Sequence, residues 1–466
     1  MGAASRPETI GDLRASGYQV LTVKQELRRN LIRKIQANEE LFPGIVGFHE
    51  SVIPQLENAI LAGQDIILLG ERGQAKSRLI RHMVELLDEA IPSIEGCELN
   101  DNPFDPICPE CKEKIAESGD DVQVAWVSRE DRYAEKLATP DITVADLIGE
   151  IDPIKVAEGR YLSDELAIHY GLIPRTNRGI FSINELPDLS ERIQVSLFNL
   201  MQERDVQIKG YRIMLPIDVM LVSSANPEDY TNRGRIITPL KDRYGAQIRT
   251  HYPRDIEEEI QIMEQEHTRF DDVDDVVVVP QYMKEVIAEI TSLARRSPEV
   301  NQRSGVSLRV SIANYETVIG SAFKRSLRLQ ETASPRVSDL PAIVASTNGK
   351  VEMESVEEGR EFKVVDGLVK KAVQNMFSRY FTARDFEAVL TRFDEGLTIQ
   401  AGTDIPSQSY VDSLPQMADM KEMIAKIEES NDPSAIASAM EFVLEGLYLN
   451  RRLNRDQTAG HIVFSA

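Results

Sequence analysis

Apolar positions along this chain follow two periods. In "DIILL" (65–69), "VQVAWVS" (122–128), "GIFSINEL" (179–186) and "DVMLVSSAN" (218–226) they form short continuous or alternating runs, which predict buried strands. Between these runs, "IVGFHESVIPQLENAILAG", "SRLIRHMVELLDEAI" and "SERIQVSLFNLMQE" repeat apolar residues at helical spacing, as with Leu79, Ile80, Met83, Leu86 and Leu87 in the second. Strands alternating with helices predict a mostly parallel sheet covered on both faces. "VQIKGYRIMLP", with Lys-Gly at its centre, reads as a hairpin inserted into that scheme.

Beyond Pro253 the pattern turns helical, in "DIEEEIQIMEQEHTRF", "QYMKEVIAEITSLARR", "LRVSIANYETVIGSAFKRSLRL" and, after a polar insert, "LVKKAVQNMFSRYF". "GLTIQAGTDIPSQS" reads as a linker to a last helical segment. The predicted plan is a helical extension over 1–40, an α/β core over 41–253, a helical domain over 254–390 and a small C-terminal segment over 391–466. An irregular, Pro- and Asn-rich insert interrupts the core at about 92–118.

Composition narrows the classes of function. The net charge of −23 repels polyanions, so bulk nucleic-acid or anionic-membrane binding is not expected. No run approaches the ~18 apolar residues of a membrane span. Three cysteines in 466 residues do not make a disulfide framework, and cytosol is the expected compartment.

The candidate chemistry starts at "GERGQAKS" (70–77), which lies between a predicted strand and a predicted helix. It follows the phosphate-binding pattern G-x-x-x-x-G-K-[ST], with Ala75 where the second glycine is expected. Gly70, Gly73, Gln74 and Ala75 would present backbone N–H groups to the phosphates of ATP. Lys76 would neutralise phosphate charge, and Ser77 would ligate Mg²⁺. Ala75 suits this loop if its φ is negative, as at a helix entry. At the end of "GIFSINELPDL", Glu185 suits a water-polarising base. Asn184 has no charge, but its carbonyl oxygen suits a metal-bound water. The competing reading is a core strand ending in a turn. Asn226 ends the next strand, and Arg233, Arg235 and Arg243 follow it. Arg309 begins a predicted helix further on.

Taken in order, Lys76-Ser77, Asn184-Glu185, Asn226, Arg243 and Arg309 resemble the motif set of AAA+ ATPases. More narrowly they resemble the MoxR and magnesium-chelatase ATPase-subunit branch. "FPGIVGFHESVIPQLENAILAG", "GLIPRTNRGIFSINELPDL", "ANPEDY", "LKDRYG" and "GVSLR" are similar to that branch's entry segment, Walker B approach, first sensor, arginine finger and second sensor. The resemblance covers about residues 40 to 390. It departs at Asn184, where the family pattern has Asp. It implies a P-loop NTPase core with a helical lid, and ATP and Mg²⁺ as ligands. It also implies a ring, expected to be a hexamer, in which Arg243 completes the neighbour's site, and a partner carrying a von Willebrand factor A-type domain. Three other roles compete with a ring ATPase that remodels a partner. One is the motor subunit of a magnesium chelatase. Another is a nucleotide-binding subunit that does not hydrolyse ATP, which Asn184 suggests. The third is a sigma-factor activator, which shares "DLIGE" but needs a "GAFTGA" loop where this chain runs "IDPIKVAEGRYLSD".

All three cysteines fall in "CELNDNPFDPICPEC". Cys108 and Cys111 are spaced to share one tetrahedral Zn²⁺, with Cys97 as a third ligand and His82 or Asp101 as a fourth. Three reduced thiols in a loop is the alternative.

Overall fold

The computed structural model describes residues 6–151, 168–207, 214–226, 234–302, 304–354, 360–458 and 461–466. It divides into two units, Met1–His251 and Tyr252–Ala466. The strands of the first unit, in chain order, are β1 Ile66–Leu69, β2 Ala90–Ile94, β3 Val124–Ser128, β4 Tyr133–Leu137, β5 Gly149–Ile151, β6 Ile168–Tyr170, β7 Gly179–Asn184, β8 Asp205–Gln207, β9 Met214–Pro216, β10 Val219–Ala225 and β11 Ala246–Arg249.

Five of them form the main sheet, in the order β11-β1-β10-β7-β4, with every neighbouring pair parallel. Side chains alternate between its faces. Ile66, Leu68, Ile180, Met220 and Val222 enter one core with Leu79 and Ile80 of the helix Lys76–His82. Ile67, Leu69, Phe181, Ile183, Val219 and Leu221 enter the other with Ile193, Leu197 and Leu200 of the helix Glu191–Gln202. Burial on both faces is why β1, β7 and β10 read as nearly continuous apolar runs.

The predicted α/β core is therefore present, with corrections to its parts. "VQVAWVS" is a strand, but it lies outside the parallel sheet: β3 pairs antiparallel with β2. The main sheet takes β4 and β11 instead, two strands whose polar residues hid them. The helix expected through Ile91 is α-helical only over Lys76–His82. A 3-10 turn follows over Met83–Leu86, and Ala90 already begins β2. β8 and β9 pair antiparallel, so the predicted hairpin forms, although its apex lies outside the described residues.

The helix of residues 23–36, inside the predicted extension, packs against the core. Thr22 and Gln25 form a capping box at the start of the helix Val23–Gln36, which buries Val23, Leu27 and Leu31 in the core beneath the sheet. The same helix carries Glu26, 3% exposed, opposite Arg132, 0% exposed. Arg132 Nη1 and Nη2 donate to the two Glu26 oxygens at 2.8 and 2.6 Å, and its Nε donates to Arg178 O at 2.8 Å. Asp88 N–H also donates to Glu26. Each charge is thus paired and hydrogen-bonded, the condition under which burial of ions is tolerated.

In the second unit, the helices Ile256–Glu266, Gln281–Ala294, Arg309–Leu329, Arg360–Tyr380, Ala383–Asp394 and Pro433–Leu449 enclose one apolar core. The stretch read as a linker belongs to that core. Ile399 and Ala401 lie on a strand, β12 Ile399–Ala401, and Tyr410 on a short helix, and all three are buried. β12 joins β13 Asn454–Thr458 and β14 His461–Ser465 in an antiparallel sheet ordered β12-β14-β13. The residues after 390 thus share the helical domain's core.

Removing one partner of the Glu26–Arg132 pair strands the other charge. Arg132→Met is expected to lower stability by about 3–5 kcal/mol, and pairing it with Glu26→Leu to recover much of that loss. Urea unfolding of the two variants measures both effects.

Candidate functional site

β1 and β10 run level, with Leu69 opposite Ala225, and Gly70 N–H donates to Ala225 O at 3.1 Å. The loop after β1 therefore starts beside Asn226, the residue that follows β10. β7 lies on the other side of β10 and ends at Asn184. Loop 70–75, Asn226 and Asn184-Glu185 so gather at the carboxyl edge of one parallel sheet, where open α/β sheets bind ligands.

The loop is held by its own side chains. Gln74, 4% exposed, accepts Glu71 N–H at 3.1 Å and the Thr250 hydroxyl at 2.7 Å, which latches the turn to the residue after β11. Gly70 is required by this latch: a Cβ there would lie 1.9 Å from Thr250 Oγ1 and 2.3 Å from Gln74 Oε1. Gly73 takes φ +75°. Lys76 folds back, with Nζ donating to Gly70 O at 2.6 Å and to Glu71 O at 2.8 Å. Its ammonium is thus parked in the hollow of the turn, on acceptors that phosphate oxygens would replace. Ser77 occupies the first turn of the helix Lys76–His82.

Ala75 departs from expectation. Its φ is 51° and its ψ 16°, in the left-handed region and not the negative φ predicted for it. That conformation costs a non-glycine residue about 1 kcal/mol. Glu185 is also left-handed, at φ 54° and ψ 48°. Such residues cluster at functional sites, where the surroundings over-determine them.

The end of β7 holds a group the sequence did not reveal. Asn184 Nδ2 donates to Glu135 Oε1 at 2.5 Å, and Asn184 Oδ1 accepts the Ser224 hydroxyl at 3.0 Å. A carboxylate only accepts, so Glu135 fixes which way the amide points. Glu135 comes from β4, whose Leu137 pairs with Asn184. Its carboxylate also takes Arg81 Nε at 2.9 Å and the Tyr133 hydroxyl at 2.9 Å. Burial opposes charge on Glu135, but the Arg81 guanidinium and these hydrogen bonds outweigh it and hold the carboxyl below its ordinary range. Arg81 belongs to the helix that follows the loop, so this carboxylate ties the loop's helix to the tip of β7. "RYAEKL" lacks an apolar run, so only its alternation hinted at a strand.

Asn226 is 3% exposed, and its Oδ1 is buried with no hydrogen-bond partner among the described residues. An unpaired buried acceptor is costly, and here it awaits a donor at the sheet edge.

Arg235 and Arg243 follow β10 in the first unit. Arg243 ends the helix Thr238–Arg243. Its guanidinium carbon sits 4.3 Å from the Phe198 ring centroid, while Nη1 and Nη2 donate to Pro239 O and Gln202 Oε1. Arg235 lies 3.6 Å from Glu191 at the exposed surface. Arg233 lies outside the described residues, as do residues 227–230 of "ANPEDY" and the stretch 152–167. Arg309 opens the helix Arg309–Leu329 of the second unit, exposed, as its position in the sequence predicts.

The cysteines converge. Ligand atoms of Cys97, Asp101, Cys108 and Cys111 all lie within 4.8 Å of one another. His82 is not among them; its Nδ1 faces Glu85 at 3.0 Å.

A model of the Sigma-54 interaction domain matches residues 158–240 of the chain. The chain is 29% identical over 227 residues to the magnesium-chelatase 38 kDa subunit of Cereibacter sphaeroides, covering 48% of this chain and 62% of that protein. It is 26% identical over 360 residues to the magnesium-chelatase subunit ChlI of Nephroselmis olivacea, covering 70% and 94%. A cryo-EM-based complex of the magnesium-chelatase subunits BchI and BchD aligns at 20% identity over 71% of this chain and 98% of that one, with a TM-score of 0.36. The chain thus spans less than two thirds of the Cereibacter subunit.

The Asn184–Glu135 contact predicts a specific coupling. Asn184→Asp alone sets two carboxylates against each other and is expected to destabilise the protein, while Glu135→Gln in the same chain restores the contact with its roles reversed. A double-mutant cycle by urea unfolding should give a coupling of about 1–3 kcal/mol. Additive effects would mean that the contact carries no energy.

Proposed function

Taking the chain as one of the AAA+ proteins of the magnesium-chelatase branch, we propose that it binds and hydrolyses ATP at the carboxyl edge of its parallel sheet. The observation that carries this reading is the convergence there of loop 70–76, Asn184-Glu185 and the unpaired Asn226 Oδ1. Loop N–H groups and Lys76 bind the phosphates; Lys76 releases its own loop carbonyls to do so. Glu185 accepts a proton from the attacking water, and Asn226 orients that water through Oδ1. A Mg²⁺ ion bound with the nucleotide would be held by Ser77 and Asn184, with the charge of Glu135 behind the amide, and it supplies charge neutralisation on the β- and γ-phosphates. In this reading Glu135 provides the negative charge that Asn184 lacks.

Arg243 acts on the nucleotide of a neighbouring subunit in a ring, six subunits by the resemblance, and Arg309 senses the nucleotide from the helical domain. Phe198 and Gln202 support the first role by holding the guanidinium on its own subunit ahead of assembly. The nucleotide cycle then remodels a partner of the MoxR type, a protein with a von Willebrand factor A-type domain. The matches to magnesium-chelatase subunits favour a second reading, the motor of a chelatase that inserts Mg²⁺ into a porphyrin.

Steady-state ATP hydrolysis at rising protein concentration tests the proposal. Turnover per chain should climb with concentration and fall by about 10²-fold or more in Glu185→Gln. Arg243→Ala should lose about 10³-fold while still binding nucleotide. Turnover that is independent of concentration and unchanged in Arg243→Ala removes the shared site. Porphyrin metallation on adding chelatase partner subunits separates the second reading from the first.

A further inference from the structure

The insert between β2 and β3 has little to hold it. It contains the helix Pro109–Ser118 and a 3-10 turn over Gly119–Asp121, and otherwise irregular backbone. Its core is a small cluster of Ile10, Ile94, Leu99, Cys108, Cys111, Val122 and Val124, in which two of the members are cysteines. Apolar clusters of this size rarely hold a loop without a staple.

Beside that core, four ligand atoms face one another. Cys97 Sγ and Cys108 Sγ are 3.9 Å apart, and the four candidate atoms lie within 4.8 Å of one another. A tetrahedral Zn²⁺ with bonds of about 2.3 Å to sulfur separates its sulfurs by about 3.8 Å. Asp101 and Cys111 are 0% and 1% exposed, Cys108 6%, and Cys97 is half-buried. An empty cluster would therefore bury a carboxylate against three sulfurs.

The sulfurs and the carboxylate are already oriented by backbone donors. Leu99 N–H donates to Cys97 Sγ at 3.3 Å, and Cys111 N–H to Cys108 Sγ at 3.4 Å. Ile107 and Cys108 N–H donate to the Asp101 carboxylate. Such supporting contacts fix ligands in place and favour their deprotonated forms.

We propose that Cys97, Asp101, Cys108 and Cys111 bind one structural Zn²⁺. Three thiolates and one carboxylate select zinc over hard cations, and four protein ligands close the coordination sphere, as in structural sites. The ion ties the strand of residues before Leu99 to the start of the helix Pro109–Ser118. Its effect reaches the sheet through two carbonyls: Asn177 Nδ2 donates to Leu99 O at 3.0 Å, and Arg178 Nη1 to Asn100 O at 3.3 Å. Asn177 and Arg178 lead directly into β7. The proposal stands on the insert alone and does not depend on the nucleotide site.

Metal analysis of the full chain as purified tests it. One zinc per chain is expected, lost in Cys108→Ser and reduced in Asp101→Asn. A chain with no bound zinc and three thiols that react freely under native conditions overturns the proposal, as does a disulfide between any two of the cysteines. If the variants do not fold, the wild-type chain stripped by a chelator and titrated with Co²⁺ decides. Tetrahedral thiolate–cobalt absorption at one equivalent, displaced by Zn²⁺, supports the site, and its absence refutes it.

Discussion

β10 is hydrogen-bonded between β1 and β7 in a register that leaves their carboxyl ends level. Parallel pairing in a sheet buried on both faces cannot slip by one residue without turning each strand's apolar positions to the wrong core. The alternation of Ile66 and Leu68 against Ile67 and Leu69 therefore locks more than packing. It sets Gly70 beside Ala225, hence the loop beside Asn226, and Ser224 beside Asn184. The charged groups at the sheet edge inherit their distances from this apolar register. The latch from Gln74 to Thr250 adds β11 to the same frame, and that contact leaves room only for glycine at 70.

Within that frame, the charge at the end of β7 comes from the neighbouring strand β4. Asn184 is neutral, yet the carboxylate of Glu135 touches it, is anchored by Arg81 and Tyr133, and stays ionised against the cost of burial. The helix after the loop supplies Arg81, so a shift of that helix would be felt at Asn184. This gives loop and strand tip a direct physical connection that does not pass through the nucleotide. The left-handed Ala75 and Glu185 stand at the two ends of that connection. Both are strained positions that the surrounding register enforces.

Where the sequence was legible, burial was uniform. β1, β7 and β10 are fully buried and announce themselves as apolar runs, and their loop and tip residues fell where the motif spacing put them. β4 and β11 lie at the two edges of the sheet, carry Glu135, Lys136, Gln247 and Arg249, and gave no comparable signal. With β4 went Glu135, whose role depends on a neighbour 49 residues away in sequence. The stretch 396–409 reads as a linker because Gly, Pro and Ser also serve strand ends and helix starts, while Ile399 and Ile405 are too sparse to show a period. The sequence predicts helix beyond His82 because Met83, Leu86 and Leu87 keep helical spacing, although the backbone takes a 3-10 turn over Met83–Leu86. The cysteine spacing was legible; the choice of Asp101 over His82 was not, because it depends on the fold of the insert.

The central claim is a phosphate site at this sheet edge, and calorimetric titration of the full chain with ATP tests it most directly. With Mg²⁺ present, the account predicts one nucleotide bound per chain, with binding abolished in Lys76→Ala and retained in Glu185→Gln. Undiminished binding by folded Lys76→Ala, or no binding by the wild-type chain, would contradict it.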